Sequence, residues 1–187
     1  MPLKIVIPGQ ECYDPVENLF HTTKDTTLTL EHSLVSISKW ESIWKIPFMQ
    51  TKKSLTPMQL ESYVKCMTLT QNVDPAVYGL ITRSQYEEIV KYISDPMSAT
   101  TINEKNLPKQ GPGHSGRTVT SELVYYWMAS LQIPFDPCQK WHFNRLMNLI
   151  RIGSIEQQPP KKMSKRDVMS QNKAINAQRR ARLHSKG

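Results

Sequence analysis

The sequence has few cysteines and no long apolar segment. Its three cysteines, Cys12, Cys66 and Cys138, are odd in number and widely spaced, which argues against a disulfide framework and a zinc site. No stretch approaches the roughly 18 uninterrupted apolar residues of a membrane-spanning helix, and residues 1–9 are too short for the apolar part of a signal peptide. We therefore expect a soluble protein, without a membrane partner, that is made in a reducing cytoplasm.

Acidic residues are scarce at the C-terminal end. Residues 156–187 hold nine Lys and Arg and two Asp and Glu, a net charge of +7, whereas residues 1–155 hold 15 and 14, a net charge of +1. A body this close to neutrality does not attract a polyanion by its overall field, while a basic tail does. Any nucleic-acid binding is therefore expected from the tail.

Strand patterns are confined to the first 30 residues. Leu3, Ile5 and Ile7 alternate with other residues before Pro8-Gly9, and Leu28 and Leu30 repeat the alternation, which predicts a small N-terminal hairpin. From Leu30 the apolar residues follow helical spacing to Trp44, which predicts a first helix ended by Pro47. Further helix starts are predicted at the capping patterns Thr56-Pro57-Met58-Gln59, Asp74-Pro75, Ser84 with Glu87, and Asp136-Pro137.

These patterns predict a mainly α protein with two parts. Residues 1–155 form a compact helical array with a minor β element within residues 1–30 and a flexible loop at 97–117. The two helices after the loop carry Val124 to Leu131 and Phe143 to Ile150, the second ending at Arg151 and Gly153. Residues 156–187 form a basic C-terminal tail, helical or disordered.

Motifs for catalysis or for a bound cofactor are weak or missing. Residues 111–116 spell G-x-G-x-x-G, but no strand leads into them, so a plain loop is favoured over a phosphate site. The five histidines include no pair at i, i+4 and no neighbouring cysteine, so no metal site is predicted, and His142 is expected at a helix surface or an interface. We expect no catalytic residue, no cofactor and no enzymatic activity.

Aromatic residues are the first candidates for a partner-binding surface. Most of them lie at core positions of predicted helices, but the adjacent Tyr125, Tyr126 and Trp127 cannot all point the same way, so at least one faces outward. Exposed aromatics are typical of protein interfaces. The candidates are Tyr125, Tyr126 and Trp141.

The basic tail supplies a second set of candidates. It has three interpretations: contact with nucleic-acid phosphates, docking on an acidic protein, or a solvated tail with no partner. It contains no aromatic residue, which argues against stacking on single-stranded bases. The candidate residues are Lys161, Lys162, Lys165, Arg166, Arg179, Arg180 and Arg182.

Several stretches together resemble proteins encoded among the tail genes of bacteriophages, commonly labelled tail assembly chaperones. The similarity spans most of the chain. The stretches that carry it are residues 28–42 (LTLEHSLVSISKWES), 63–68 (YVKCMT), 120–128 (TSELVYYWM), 141–146 (WHFNRL) and 161–165 (KKMSK).

The resemblance implies a non-enzymatic morphogenesis factor in the cytoplasm of the infected host. Such chaperones are thought to coat the hydrophobic helical tape measure protein and to recruit tail-tube subunits. Self-association is a further expectation. The strong positive charge of the tail departs from this picture, so the alternative stays open: a phage virion structural or nucleic-acid-binding component that uses residues 161–186.

Overall fold

Two antiparallel hairpins, one nested inside the other, occupy the first 30 residues. Strand β1 (Leu3–Ile7) pairs with β4 (Thr26–Leu30), and β2 (Glu11–Asp14) pairs with β3 (Leu19–Thr22) between them. The outer pair is the hairpin that the sequence predicted. The inner pair was missed, because its four-residue strands are too short to show an alternating pattern.

The rest of the described chain is helical, as predicted, and falls into two units. This computed structural model describes residues 2–14, 16, 18–52, 54–100, 118–157 and 165–183. The units are Met1–Glu156 and Gln157–Gly187. The helices are α1 (Leu34–Trp44), α2 (Phe48–Thr51), α3 (Pro57–Met67), α4 (Ala76–Gly79), α5 (Arg83–Ser94), α6 (Ser121–Ser130), α7 (Phe135–Cys138) and α8 (Phe143–Glu156) in the first unit, and α9 (Lys165–Leu183) in the second.

The first helix begins later than its apolar spacing predicted. Leu30 belongs to β4, where its side chain is fully buried, and the helix starts after Ser33, whose side chain accepts a hydrogen bond from the Ser36 N–H. It ends at Lys45, whose φ of 56° lies in the left-handed region, two residues before Pro47. The prediction failed because strand and helix patterns overlap at Leu30.

Capping residues decide where the next helices begin. Thr56 and Gln59 form the predicted capping box of α3, with Pro57 in the first turn. For α5 the predicted box is wrong: Thr82 and Gln85 form it, because Thr82 has the extended backbone of a cap whereas Ser84 already lies inside the helix.

The last helix of the first unit differs from its prediction at both ends. The predicted start at Asp136-Pro137 belongs to a separate short helix, α7, inside which Asp136 has non-helical dihedral angles, and α8 starts only at Phe143. At the other end α8 passes Gly153 and continues to Glu156. A Cβ at Gly153 would lie 3.4 Å from a methyl carbon of Leu131, so this glycine permits close packing rather than ending the helix.

One hydrophobic core joins strands β1 and β4 to helices α1 to α8. Trp40, Tyr63, Phe48 and Phe143 are its largest fully buried side chains. The Trp40 indole N–H donates to the Gln59 carbonyl oxygen at 3.0 Å, so the one polar atom of its ring is satisfied. Other buried members are Ile5, Ile7, Leu28, Leu30, Leu34, Ile37, Val64, Met67, Ile89, Val124, Met128, Leu146 and Ile150.

Candidate partner-binding groove

A cluster of polar rings at the centre of the core holds together residues distant in the sequence. His32, 2% exposed, packs edge-on against His142 with 5.0 Å between ring centroids, and its Nδ1 is hydrogen-bonded to the Tyr63 hydroxyl. The His142 Nε2–H donates to the Tyr92 carbonyl oxygen at 3.0 Å. We call His32, Tyr63, Tyr92 and His142 the central polar cluster.

Burial keeps the cluster uncharged at neutral pH. It lowers the pKa of His32 to about 3, with a smaller contribution from His142, and it lowers the pKa of His142 as well. It also raises the pKa of the Tyr63 hydroxyl well above its ordinary value. Because His32 and Tyr63 are enclosed, they lie out of reach of a substrate, and their contacts serve to position helices.

A buried carboxylate fixes a second junction between helices. Glu41 of α1, 8% exposed, accepts the backbone N–H of Phe48 at 2.9 Å with one oxygen and that of Ser121 at 2.8 Å with the other. Phe48 begins α2 and Ser121 begins α6, so both N–H groups belong to the unpaired first turn of a helix. The carboxylate satisfies them and sets where α2 lies.

Beside α2, an open groove of about 720 Å³ is formed by four helices and the chain next to them. Its apolar lining comes from the α2 region, α3, α5 and α8. A groove of this size with mostly apolar walls is typical of a binding site. We call it the binding groove, and its lining residues are Phe48, Met49, Lys52, Leu55, Leu60, Val90, Ile93, Ser94, Pro96, Asn144, Met147, Asn148 and Arg151.

The polar side of the binding groove is a single helix face. Asn144, Asn148 and Arg151 follow one another at i, i+4 and i+7 along α8. Asn144 is already engaged, because its amide donates to the carbonyl oxygens of Ile93 and Asp95 at the end of α5. The buried Nε of Arg151 has no hydrogen-bond partner among the described residues.

Two cationic side chains line the groove. Lys52 and Arg151 both line it, and none of its lining residues, all of them within the described part of the chain, is acidic. Two methionines, Met49 and Met147, lie among the apolar groups. Their flexible thioether side chains adapt to partners of different shape.

The aromatic candidates from the sequence lie outside the binding groove. Tyr126 is 64% exposed, which confirms that one of the three adjacent aromatics faces outward. Tyr125 is half-buried, packs edge-on against Phe135 at 5.5 Å and donates its hydroxyl hydrogen to Gln139. Trp141 is half-buried and stacks with the Arg145 guanidinium, 4.6 Å from its ring centroid.

One placement made from the sequence is wrong. His142 was expected at a surface or interface, but it is 7% exposed, because the bridge between Ser33 and His142 draws it into the core. Val90 of α5 is 46% exposed and lines the groove. The apolar face of α5 therefore extends beyond the residues that are buried in the core, and this extension is the sign of the groove in the sequence.

The basic candidates are only partly described. Arg179, Arg180 and Arg182 lie on α9 with exposed side chains. Lys165 and Arg166 belong to the first turn of α9, and their side chains are outside the description. Lys161 and Lys162, the G-x-G-x-x-G segment 111–116, and most of the predicted loop 97–117 lie outside the described residues.

No three or more His, Cys, Asp or Glu side chains of the described residues are grouped so as to hold a metal ion. Within the same residues, none of the helices has the length and apolar character needed to cross a bilayer. Comparison with protein-family models, with curated proteins and with solved structures finds no match to this chain.

Proposed function

We propose that this protein is a non-enzymatic bacteriophage tail assembly factor that binds an apolar helix of a tail protein, the tape measure protein, in the binding groove. The observation that carries the proposal is the groove itself: an open, mostly apolar channel between helices. The resemblance of the sequence to tail assembly chaperones supplies the identity of the partner. Tail-tube subunits are a second class of partner under the same proposal.

The groove favours a helix as its occupant. Its walls are helices, and an amphipathic helix lays its apolar face into such a groove with anchors at i, i+3, i+4 and i+7. The adaptable side chains of Met49 and Met147 suit a long partner whose successive turns differ in sequence. Contacts of this kind are exchangeable, as a factor that leaves the finished tail requires.

Co-expression with the tape measure protein of the same phage tests the proposal. We expect that protein to stay soluble and to co-purify with the wild-type chain. The substitution Val90→Glu places a carboxylate in the groove at an exposed position, so it should abolish co-purification and leave the fold intact.

The matched control is Ile43→Glu. Ile43 is 62% exposed on α1, outside the groove. Like Val90→Glu, this substitution adds one negative charge and removes one exposed apolar side chain. This variant should co-purify like the wild type. Thermal melts of both variants must first match. The proposal would then be contradicted if the Val90 variant co-purifies at wild-type yield. It would also be contradicted if the wild type retains no tail protein.

The exposed cations of α9 favour a second candidate function, a nucleic-acid-binding or virion component. This helix holds six Lys and Arg and one acidic residue, and Lys173 and Arg180 share one face at a spacing of seven. If phosphate contacts are its role, DNA retention should weaken steeply with salt and disappear when the chain is cut after residue 157. Retention of the polypeptide in purified virions would favour this candidate over the first.

A further inference from the structure

We infer that helix α9 of one copy of this protein docks on the β2–β3 hairpin of a second copy, so that the chains associate head to tail. This inference goes beyond the proposed function and does not involve the binding groove. It starts from two exposed surfaces of opposite charge, one on the hairpin and one on α9.

The first surface is one face of the β2–β3 hairpin. Tyr13 stands opposite Phe20 in the register, and Glu11 stands opposite Thr22, so the alternation of the strands places all four side chains on the same face. We call these four residues the hairpin face. All four are exposed, and the Tyr13 and Phe20 rings lie 5.3 Å apart between centroids. An exposed aromatic pair of this kind is typical of a protein interface.

The hairpin and α9 carry opposite net charges. Residues 10–22 hold three acidic residues and no Lys or Arg, a net charge of −3. Residues 165–183 hold six Lys and Arg and one acidic residue, a net charge of +5. Contact between the two segments is therefore favoured electrostatically, whereas contact of two hairpins or of two α9 helices brings like charges together.

The second surface is a stripe along α9. Five exposed residues follow one another at steps of four, three, four and three, which is the spacing of a single helix face. Apolar side chains stand at both ends of the stripe, and two cations lie between them. We call it the α9 stripe, and its members are Met169, Lys173, Asn176, Arg180 and Leu183.

The two surfaces match in length and in chemistry. Lys173 and Arg180 are seven residues apart, about 10 Å along a helix, and a four-residue strand is about 13 Å long. Both cations therefore fit over the hairpin face at once. Aromatic ring faces attract cations, and the Glu11 carboxylate offers an ion pair beside them.

The charged groups of both surfaces are available to a second copy. Glu11, Lys173 and Arg180 are exposed, and none of them forms an ion pair or a side-chain hydrogen bond among the described residues. Since each copy uses two different surfaces, an open assembly always ends in one unoccupied hairpin face and one unoccupied α9 stripe. Such an assembly grows with concentration or closes into a ring, and the small area of the hairpin face makes the association weak and reversible.

Sedimentation velocity of the full-length, nuclease-treated protein tests the association. We expect the mean mass to rise beyond that of a dimer between about 1 and about 100 μM protein at low salt, and to fall again at high salt. A monomer over the whole range would overturn the inference. A mass that rises only when nucleic acid is present would show that α9 binds a polyanion instead, and would overturn it as well.

Two charge reversals on the same helix form a matched pair. Lys173→Glu with Arg180→Glu removes the cations of the α9 stripe and should weaken the association about tenfold or more. Arg179→Glu with Arg182→Glu changes the net charge of α9 by the same amount outside the stripe, and should weaken it much less. Equal effects of the two reversals would contradict a defined docking face.

A mixture of two defective variants separates the head-to-tail arrangement from symmetric ones. Phe20→Asp places a charge in the hairpin face, and the double reversal of Lys173 and Arg180 disables the α9 stripe, so each variant alone should be monomeric. Mixed, they supply one intact hairpin face and one intact stripe, and they should form a complex of two chains and nothing larger. Self-association of the stripe variant, or no complex in the mixture, would overturn the inference.

The mixture keeps its meaning even if the substitution at Phe20 unfolds the hairpin, because that variant contributes only its α9. The matched control for Phe20→Asp is Ile43→Asp, at an exposed apolar position of α1 outside both surfaces. This control should associate like the wild type, and loss of its association would show that any added charge disrupts the assembly, against the inference.

Discussion

At the scale of single residues, the buried histidines are the most consequential side chains. His32 and His142 are neutral in the folded protein, and the His142 Nδ1 is enclosed without a hydrogen-bond partner among the described residues. A proton added there would create a buried charged N–H with no acceptor. The cost of that charge connects the pH of the solution to the stability of the fold.

We predict that the free energy of unfolding falls as the pH drops below about 6.5. Both histidines have folded pKa values below those of the unfolded chain, so the unfolded state binds more protons in this range. Stability is highest above the unfolded pKa and declines as pH falls toward the folded one. Urea titrations between about pH 7.5 and about pH 5 should show a loss of about 2 kcal/mol from His32, with a further loss in the same direction from His142.

The variant His32→Gln separates this effect from the titration of carboxylates. Glutamine fills much of the same space and cannot be protonated, so the variant should be less stable than the wild type at neutral pH but should lose less stability on acidification. A pH dependence identical to that of the wild type would show that His32 is not the titrating group.

At the scale of elements, two short segments, residues 8–10 and 23–25, connect the two nested hairpins and lie against each other. The Gly9 N–H donates to an Asp25 carboxylate oxygen at 2.8 Å, and the Thr23 N–H donates to the Gln10 carbonyl oxygen at 2.9 Å. A Cβ added at Gly9 would lie 2.3 Å from the Thr23 carbonyl oxygen. The close approach of these backbones explains why the residue after β1 is glycine.

Gly9→Ala should therefore lower the free energy of unfolding by about 1–3 kcal/mol, because the two backbones must separate. Gly79→Ala is the matched control, since Gly79 ends α4 and a Cβ there would meet no atom within 4 Å. The control should gain about 0.5 kcal/mol. Chemical denaturation of both variants checks the pair, and equal effects would show that the contact at Gly9 relaxes freely.

Elements that are determined locally were predictable, and those that depend on packing were not. The capping box at Thr56 and the alternation of β1 and β4 were readable because each depends on a few neighbouring residues. The helix end predicted at Gly153 was wrong, because a sequence does not distinguish a glycine that packs closely against Leu131 from a glycine that ends a helix. The capping box predicted at Ser84 was wrong because a second capping pattern, Thr82 with Gln85, begins two residues earlier and is the one that forms.

At the scale of the whole molecule, the candidate site is assembled from distant parts of the chain. The binding groove brings Lys52 and Arg151, about a hundred residues apart in the sequence, to one channel. No spacing rule connects them, so the sequence predicted aromatic and basic candidates elsewhere, on residues it could judge one at a time. Val90 is an exposed apolar residue of α5 that lines the groove, and nothing in the sequence around it distinguishes it from a core residue.

The central polar cluster has one more consequence, for synthesis on the ribosome. The backbone N–H of Phe143 donates to the His32 carbonyl oxygen at 2.8 Å, and His142 packs on the His32 ring, so a segment made earlier is completed by one that follows it by about 110 residues. A nascent chain that ends before α8 leaves the core around His32 open. Folding of this unit must therefore wait until residues 142–150 have emerged, and truncated translation products should be substrates for cellular proteases rather than partly working proteins.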